Sequence, residues 1–293
     1  MKNNNWAGHC LALFSILIWG STFAATRMLL DAGMRPDEIM IIRFVIAYIL
    51  LWVIHPRFMR PVSFKREFLY FLAGACGVTL YFLAENEALS FTTVSNTSLL
   101  VTAAPLFTGI FAAILWRQKL SAAFFAGFIV AMTGVVLILF QGGIPKVYPK
   151  GDILALGGAV CWAVYTLTVK KTDGKNVNVL AATRRIFFYG NLLFIPMVFL
   201  LKTEFHLEIL KDTRHLAQIL FLSVIASALC YVTWNKAAYI LGAVKANVYI
   251  YLVPVTALLT ARLFFDEALT ATGWIGAVLV LTGLVVSNLR KSS

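Results

Sequence analysis

Charge is scarce in this chain. Asp, Glu, Lys and Arg make up 13% of its 293 residues, about half of what a soluble domain carries, which is too little polar surface for a water-facing exterior. Cysteine is scarce as well. Cys10, Cys76, Cys161 and Cys230 fall in four separate apolar stretches with no CxxC spacing, which excludes a secreted disulfide scaffold and reads as small buried hydrophobes. The four histidines, His9, His55, His206 and His215, sit at the edges of apolar runs or between them. Neither HExxH nor GxxxxGK followed by Ser or Thr occurs, so the sequence offers no zinc-hydrolase helix and no ATP-binding loop. No cofactor or metal is expected.

What the chain has in plenty is apolar residues, 60% of the total, with a mean hydropathy of +0.84. A helix needs about 20 mostly apolar residues to cross a bilayer. Runs bounded by charge, proline or glycine predict ten such spans, at residues 9–30, 37–54, 68–88, 93–115, 121–140, 152–169, 179–201, 216–235, 246–265 and 270–289. The 25 Lys and Arg outnumber the 13 Asp and Glu, but they lie between apolar runs rather than on one surface, so they signal orientation and not a nucleic-acid partner. With the amino terminus inside, fourteen Lys and Arg fall on inner segments and six on outer ones, and both termini are then cytoplasmic. The first span, with Lys2 ahead of it and Phe23-Ala24-Ala25 near its end, has the outline of a signal peptide, but an internal repeat that begins inside it argues against cleavage. The longest outer connection, residues 202–215, mixes Lys202, Lys211 and Arg214 with Glu204, Glu208 and Asp212 and is expected to be a short amphipathic excursion.

The repeat sets the architecture. Gly8 aligned on Gly151 brings Leu11-Ala12-Leu13 onto Leu154-Ala155-Leu156 and Trp19 onto Trp162. Later, at a constant offset of 149 residues, Asn86 falls on Asn235, Ala88 on Ala237, Pro105 on Pro254, Gly127 on Gly276 and Thr133-Gly134 on Thr282-Gly283. The chain therefore reads as a duplicated five-helix unit, with residues 1–145 as the first copy and 146–293 as the second. Five is odd, so the second copy is expected to enter the membrane inverted, with a site near the midplane between the copies.

Trp19 to Phe23 (Trp-Gly-Ser-Thr-Phe), Arg43-Phe44, Asn86-x-Ala88-Leu89 leading to Pro105, and Phe265-Asp266-Glu267-x-Leu269 followed by Gly276 and Gly283 together resemble the EamA-type drug/metabolite transporters. The resemblance covers nearly the whole chain. It implies an all-α integral membrane protein with ten transmembrane helices in two inverted repeats, in a bacterial inner membrane. It also implies export of amino acids, related metabolites or drugs, often in exchange for protons. The chain departs from the family pattern at Gln118, where the first repeat commonly carries a Glu matching Glu267, and at Trp116-Arg117 before it.

Polar groups inside a membrane are costly, so those that persist are candidate functional residues. Gly77, Tyr81 and Glu85 share one face of the third span at spacing four. A carboxyl group kept from water there can take and release a proton during a cycle or pair with an ammonium group, which makes Glu85 the candidate for proton coupling; the alternative is a hydrated carboxylate at the outer interface. The matching helix carries Ser227, Tyr231 and Asn235, with Trp234 where the first copy has Glu85. An acid on one side and an indole on the other suits an asymmetric zwitterion or an aromatic compound, unless Trp234 only anchors at headgroup level.

The predicted cavity lining is Trp19, Thr22, Tyr81, Glu85, Asn96, Trp162, Tyr165, Tyr231, Trp234, Asn247 and Tyr251. Pro105 and Pro254 are candidate hinges, since each removes a backbone donor within a span; kinks that only shape packing are the plainer alternative. Arg43 and Arg185 align at an offset of 142, and each is read either as snorkelling to the interface or as holding a substrate carboxylate. The paired glycines of the fifth and tenth spans read as close helix packing, between halves or between protomers. A secondary active exporter of a small amphipathic solute is the leading function. The expected partners are a small-molecule substrate and the lipid bilayer, with no nucleic acid, in a monomer or homodimer. A channel or lipid scramblase shares the composition, whereas an integral-membrane enzyme lacks a recognisable catalytic constellation.

Overall fold

The computed structural model describes residues 5–89, 91, 92, 94–117, 119–140, 147–172, 178–265 and 270–288. Among these residues every regular element is helical. Ten helical segments succeed one another: α1 (Asn5–Asp31), α2 (Pro36–Ile54), α3 (64–89), α4 (94–116), α5 (Ala122–Phe140), α6 (Pro149–Thr172), α7 (Val179–Leu201), α8 (Thr213–Leu241), α9 (243–265) and α10 (Ala271–Asn288). Among the described residues eight helices are long and apolar enough to cross a membrane. The other two are α2, which holds Asp37, Glu38 and Arg43 within its 19 residues, and α9, which is assembled from three short pieces.

Local sequence sets the helix ends. Pro36 opens α2 in its first turn, where its missing N–H costs nothing, and Glu38 accepts the Arg35 amide at 3.2 Å. Ser63, Asn178 and Asp212 cap α3, α7 and α8 through side-chain oxygens that accept the amides of Arg66, Leu180 and Arg214. The connection 202–215 contains a short 3-10 turn, Leu207–Lys211. Its Ile209 packs beside Leu29 and Met34, while buried Glu38 accepts the His206 amide at 2.6 Å. The expected excursion is thus pinned to the ends of α1 and α2.

Helix packing follows the repeat. α1 packs on α8 and α9, and α6 packs on α3 and α4; α2 lies against α8 as α7 lies against α3. Each first helix is therefore lodged among the third and fourth helices of the other copy. α5 and α10 form the most extensive pair. A Cβ on Gly134 would stand 2.5 Å from the Gly276 carbonyl oxygen, and one on Gly127 would stand 2.6 Å from that of Gly283. The glycines expected to mediate close contact thus join the two halves of one chain.

Two irregularities recur in both copies. A π-helical turn interrupts α3 at Ala75–Leu80 and α8 at Phe221–Leu229, which leaves carbonyls out of the ordinary i→i−4 ladder. The prolines mark breaks of a second kind. Pro105 lies in the first turn of Ala104–Trp116, after a turn at residues 102 and 103 divides α4. Pro254 opens Val253–Phe265, after the 3-10 turn Val248–Leu252 divides α9. Neither proline kinks a continuous helix; each starts a new one.

Candidate functional site

Near the midpoints of α1 and α6, the Trp19 and Trp162 rings meet edge to face at 5.2 Å. Trp234 and Tyr231 of α8 pack on Trp19 at 5.2 and 5.7 Å. Tyr81 of α3 and Tyr165 of α6 each lie 5.1 Å from Trp162. Six of the eleven predicted cavity residues therefore form one aromatic cluster where four helices from both copies converge. Each such pair contributes about 0.5–1.5 kcal/mol beyond burial. Trp162, Tyr165, Tyr231 and Trp234 are at most 5% exposed, so in this conformation the rings fill the space between the helices.

Polar groups hold the rings in place. Carbonyls within the two π turns accept from aromatic side chains of the opposite copy: Trp19 Nε1 donates to Ala226 at 2.8 Å, and the Tyr231 hydroxyl donates to Gly77 at 2.7 Å. Gly77 and Ala226 are equivalent in the repeat, so the same type of bond recurs in both copies. Tyr165 donates to Asn235 at 2.6 Å, and Asn235 donates in turn to Thr183 at 2.9 Å. Asn247 accepts the Trp162 indole at 3.1 Å and the Thr166 hydroxyl at 3.3 Å, and donates to Thr108. The Trp234 indole nitrogen is buried with no hydrogen-bond partner.

Charge enters from one side. The Tyr81 hydroxyl donates to Glu85 at 3.2 Å. Arg43 is 6% exposed, and its Nε donates to Ser227 at 2.9 Å. Its guanidinium lies 5.2 Å from the Phe44 ring and 5.0 Å from the Phe82 ring, within electrostatic reach of Glu85. Arg43 therefore does not snorkel: near the middle of α2, it points into the bundle. Its sequence counterpart Arg185 does something else, forming a 2.8 Å ion pair with Glu67. Arg43 was legible as a candidate from its repeat position, but its partners on α8 were not.

The remaining predicted residues lie apart from the cluster. Asn96 donates to Asp152 at 3.3 Å, beside Thr92, at the start of α6. Tyr251 packs 6.3 Å from Phe128 of α5. The Thr22 hydroxyl returns to the Trp19 carbonyl at 2.7 Å. The side chain of Asn86, and the residues Gln118, Asp266 and Glu267, lie outside the described residues. All four thiols are free.

A helical bundle of apolar spans, built twice over and closed around an aromatic and charged centre, defines a multi-pass membrane protein of the transporter class. The EamA-like transporter family model matches residues 6–140 and again 149–289, and the chain belongs to that family. It is similar to an uncharacterized transporter of Archaeoglobus fulgidus, at 26% identity over 97% of this chain and 98% of the relative. It is also similar to a probable terminal-alkyne amino-acid exporter of Streptantibioticus cattleyicolor, at 25% identity over 95% and 92%. A solved crystal structure at 19% identity shares the fold, with a TM-score of 0.75 over 96% of both chains. The protein is accordingly a membrane transporter, whose partners are a small solute and the lipid bilayer.

Proposed function

We propose that the chain is a secondary active exporter of small zwitterionic metabolites, amino acids or close relatives, working by alternating access with both termini in the cytoplasm of a bacterial cell. The observation that carries this reading is the placement of Arg43 and Glu85 beside one aromatic cluster. An arginine in the middle of a span costs roughly 2.5–3.5 kcal/mol on insertion scales, so its retention there marks it as a functional candidate. Opposite charges in a shared polar corner can receive the carboxylate and the ammonium of a zwitterion, and the rings accept its apolar part. The resemblance to an amino-acid exporter supports the same class. In this reading ten helices cross the membrane and the two copies, residues 1–145 and 146–293, are inverted. The breaks ahead of Pro105 and Pro254 serve as hinges, Glu85 exchanges the coupling proton, and the packed rings are an occluded form of the pathway.

Counterflow in proteoliposomes tests the proposal. A panel of labelled amino acids is expected to give saturable uptake that unlabelled substrate inside the vesicles accelerates. Flux that rises linearly with concentration and ignores internal substrate would mean a channel, and phospholipid flip without solute transport would mean a scramblase.

A further inference from the structure

A separate cavity opens at the end of the bundle where α2 stops and α3 and α7 begin. It has a volume of about 270 Å³, and His55, Arg57, Arg60, Arg66 and Asn178 contribute to its lining. Arg57 and Arg60 are exposed, and among the described residues no carboxylate forms an ion pair with any of the three arginines. Glu67 also reaches the cavity, but Arg185 at 2.8 Å and Tyr189 at 2.7 Å already engage it.

His55 adds a donor. The Oδ1 of Asn178 accepts the amides of Leu180 and Ala181 at 2.9 and 3.2 Å, which fixes the orientation of that side chain. Its Nδ2 must then donate to His55 Nε2, 3.1 Å away, so a neutral His55 ring carries its proton on Nδ1. That Nδ1 is buried and has no partner. The amino termini of α3 and α7 open onto the same cavity and add partial positive charge. The uncommitted arginines and the helix ends favour an anion.

The surroundings narrow its chemistry. A second cavity of about 190 Å³ shares Phe58, Met59 and Ala181 with the first and runs along Tyr48, Trp52 and Phe188 between α2 and α7. Arg184 holds this groove together. Its guanidinium lies 3.7 Å from the Trp52 ring and donates to the carbonyls of His55 and Arg57 at the end of α2. Phe58 of the α2–α3 connection lines the groove and is 67% exposed, and Phe64 at the start of α3 is 88% exposed, as suits side chains dipping among lipids.

We propose that this composite cavity binds the phosphate headgroup of an anionic phospholipid, with Arg57, Arg60 and Arg66 on the phosphate and the α2–α7 groove around the upper acyl chain. A soluble phosphate ester would fill the cationic half and leave the apolar half empty, which is why the lipid is the better fit. Basic pockets between membrane helices are suited to such headgroups.

Native mass spectrometry and thermal denaturation of the full chain test the proposal, with phosphatidylglycerol, phosphatidylcholine or free glycerol 1-phosphate as the added ligand. Phosphatidylglycerol is expected to be retained and to raise Tm well above phosphatidylcholine. The triple variant Arg57→Gln, Arg60→Gln, Arg66→Gln should weaken phosphatidylglycerol binding by on the order of tenfold or more. The comparison triple Lys202→Gln, Lys211→Gln, Arg214→Gln, at the far end of the bundle, should stay within about twofold of wild type. If the first triple variant does not fold, Arg60→Gln alone gives the same direction with a smaller shift. Equal losses in the two triples would overturn the site, and so would unchanged phosphatidylglycerol binding in the cavity variants. Binding of glycerol 1-phosphate as tight as that of the lipid would overturn the lipid as its occupant.

Discussion

The Tyr231 hydroxyl donates to the Gly77 carbonyl at 2.7 Å, joining an aromatic residue of α8 to the π turn of α3. Both groups are buried, so water does not replace the bond when it is lost. Tyr231→Phe keeps the ring contacts and removes that hydrogen bond, at a cost of about 0.5–1.5 kcal/mol. A fluorescence-based thermal denaturation assay in detergent should record a lower Tm, with the variant still reaching the membrane.

Two tryptophans of the cluster should behave oppositely to their prominence. Trp19 has a satisfied indole N–H, whereas that of Trp234 is orphaned. Trp19→Phe therefore breaks a bond that holds the cluster and should lower Tm. In Trp234→Phe, relief of the unpaired donor offsets the lost ring volume, so Tm should change little. If Trp234 donates to substrate during transport, its variant should raise KM several-fold with little change in expression, which concentration-dependent uptake would reveal.

The α5–α10 seam tolerates no bulk. Gly134→Leu would drive a side chain into the Gly276 carbonyl, starting from a Cβ only 2.5 Å away. Overpacking of this kind costs typically 1–3 kcal/mol, and more where backbone blocks the way. Gly157→Ala is the matched control, because a Cβ there meets open space. Size-exclusion profiles of the two variants should show a monodisperse control and a depleted or aggregated Gly134 variant.

Charge-neutralising variants at the centre should separate binding from coupling. Arg43→Gln removes the carboxylate partner and should raise KM for a zwitterion by tenfold or more, taking a lost charged hydrogen bond as about 1.5–3 kcal/mol. Glu85→Gln should preserve counterflow, in which substrate merely exchanges, while abolishing accumulation driven by an imposed pH gradient. Intact pH-driven accumulation in Glu85→Gln would assign coupling to another group.

The helical class and the register of the repeat were legible because apolar run length and the 149-residue offset are properties of the sequence itself. Trp19 and Trp162 were legible as aromatic residues matched in the repeat, Tyr81 and Tyr231 from shared helix faces at spacing four, and Trp234 from its place opposite Glu85. Tyr251 shows the limit. A uniform ninth helix aims it at the centre, but Val248–Leu252 winds as a 3-10 turn, which advances each residue by about 120° instead of 100° and turns Tyr251 towards α5. The π turns were hidden likewise, since their hydrogen bonds leave no fixed residue pattern. Asn96 went to Asp152 because a short polar side chain takes the nearest acceptor at a helix end, and that acceptor comes from the other copy.

The lodging of α1 between α8 and α9 bears on how the protein is made. When the first five helices have left the ribosome, α1 has none of its final neighbours from the second copy, and the rings it will meet on α8 do not yet exist. The nascent half must wait in the bilayer with its central face uncovered until translation is almost complete. Two halves expressed as separate polypeptides should consequently be unstable alone and recover transport only when made together in one cell.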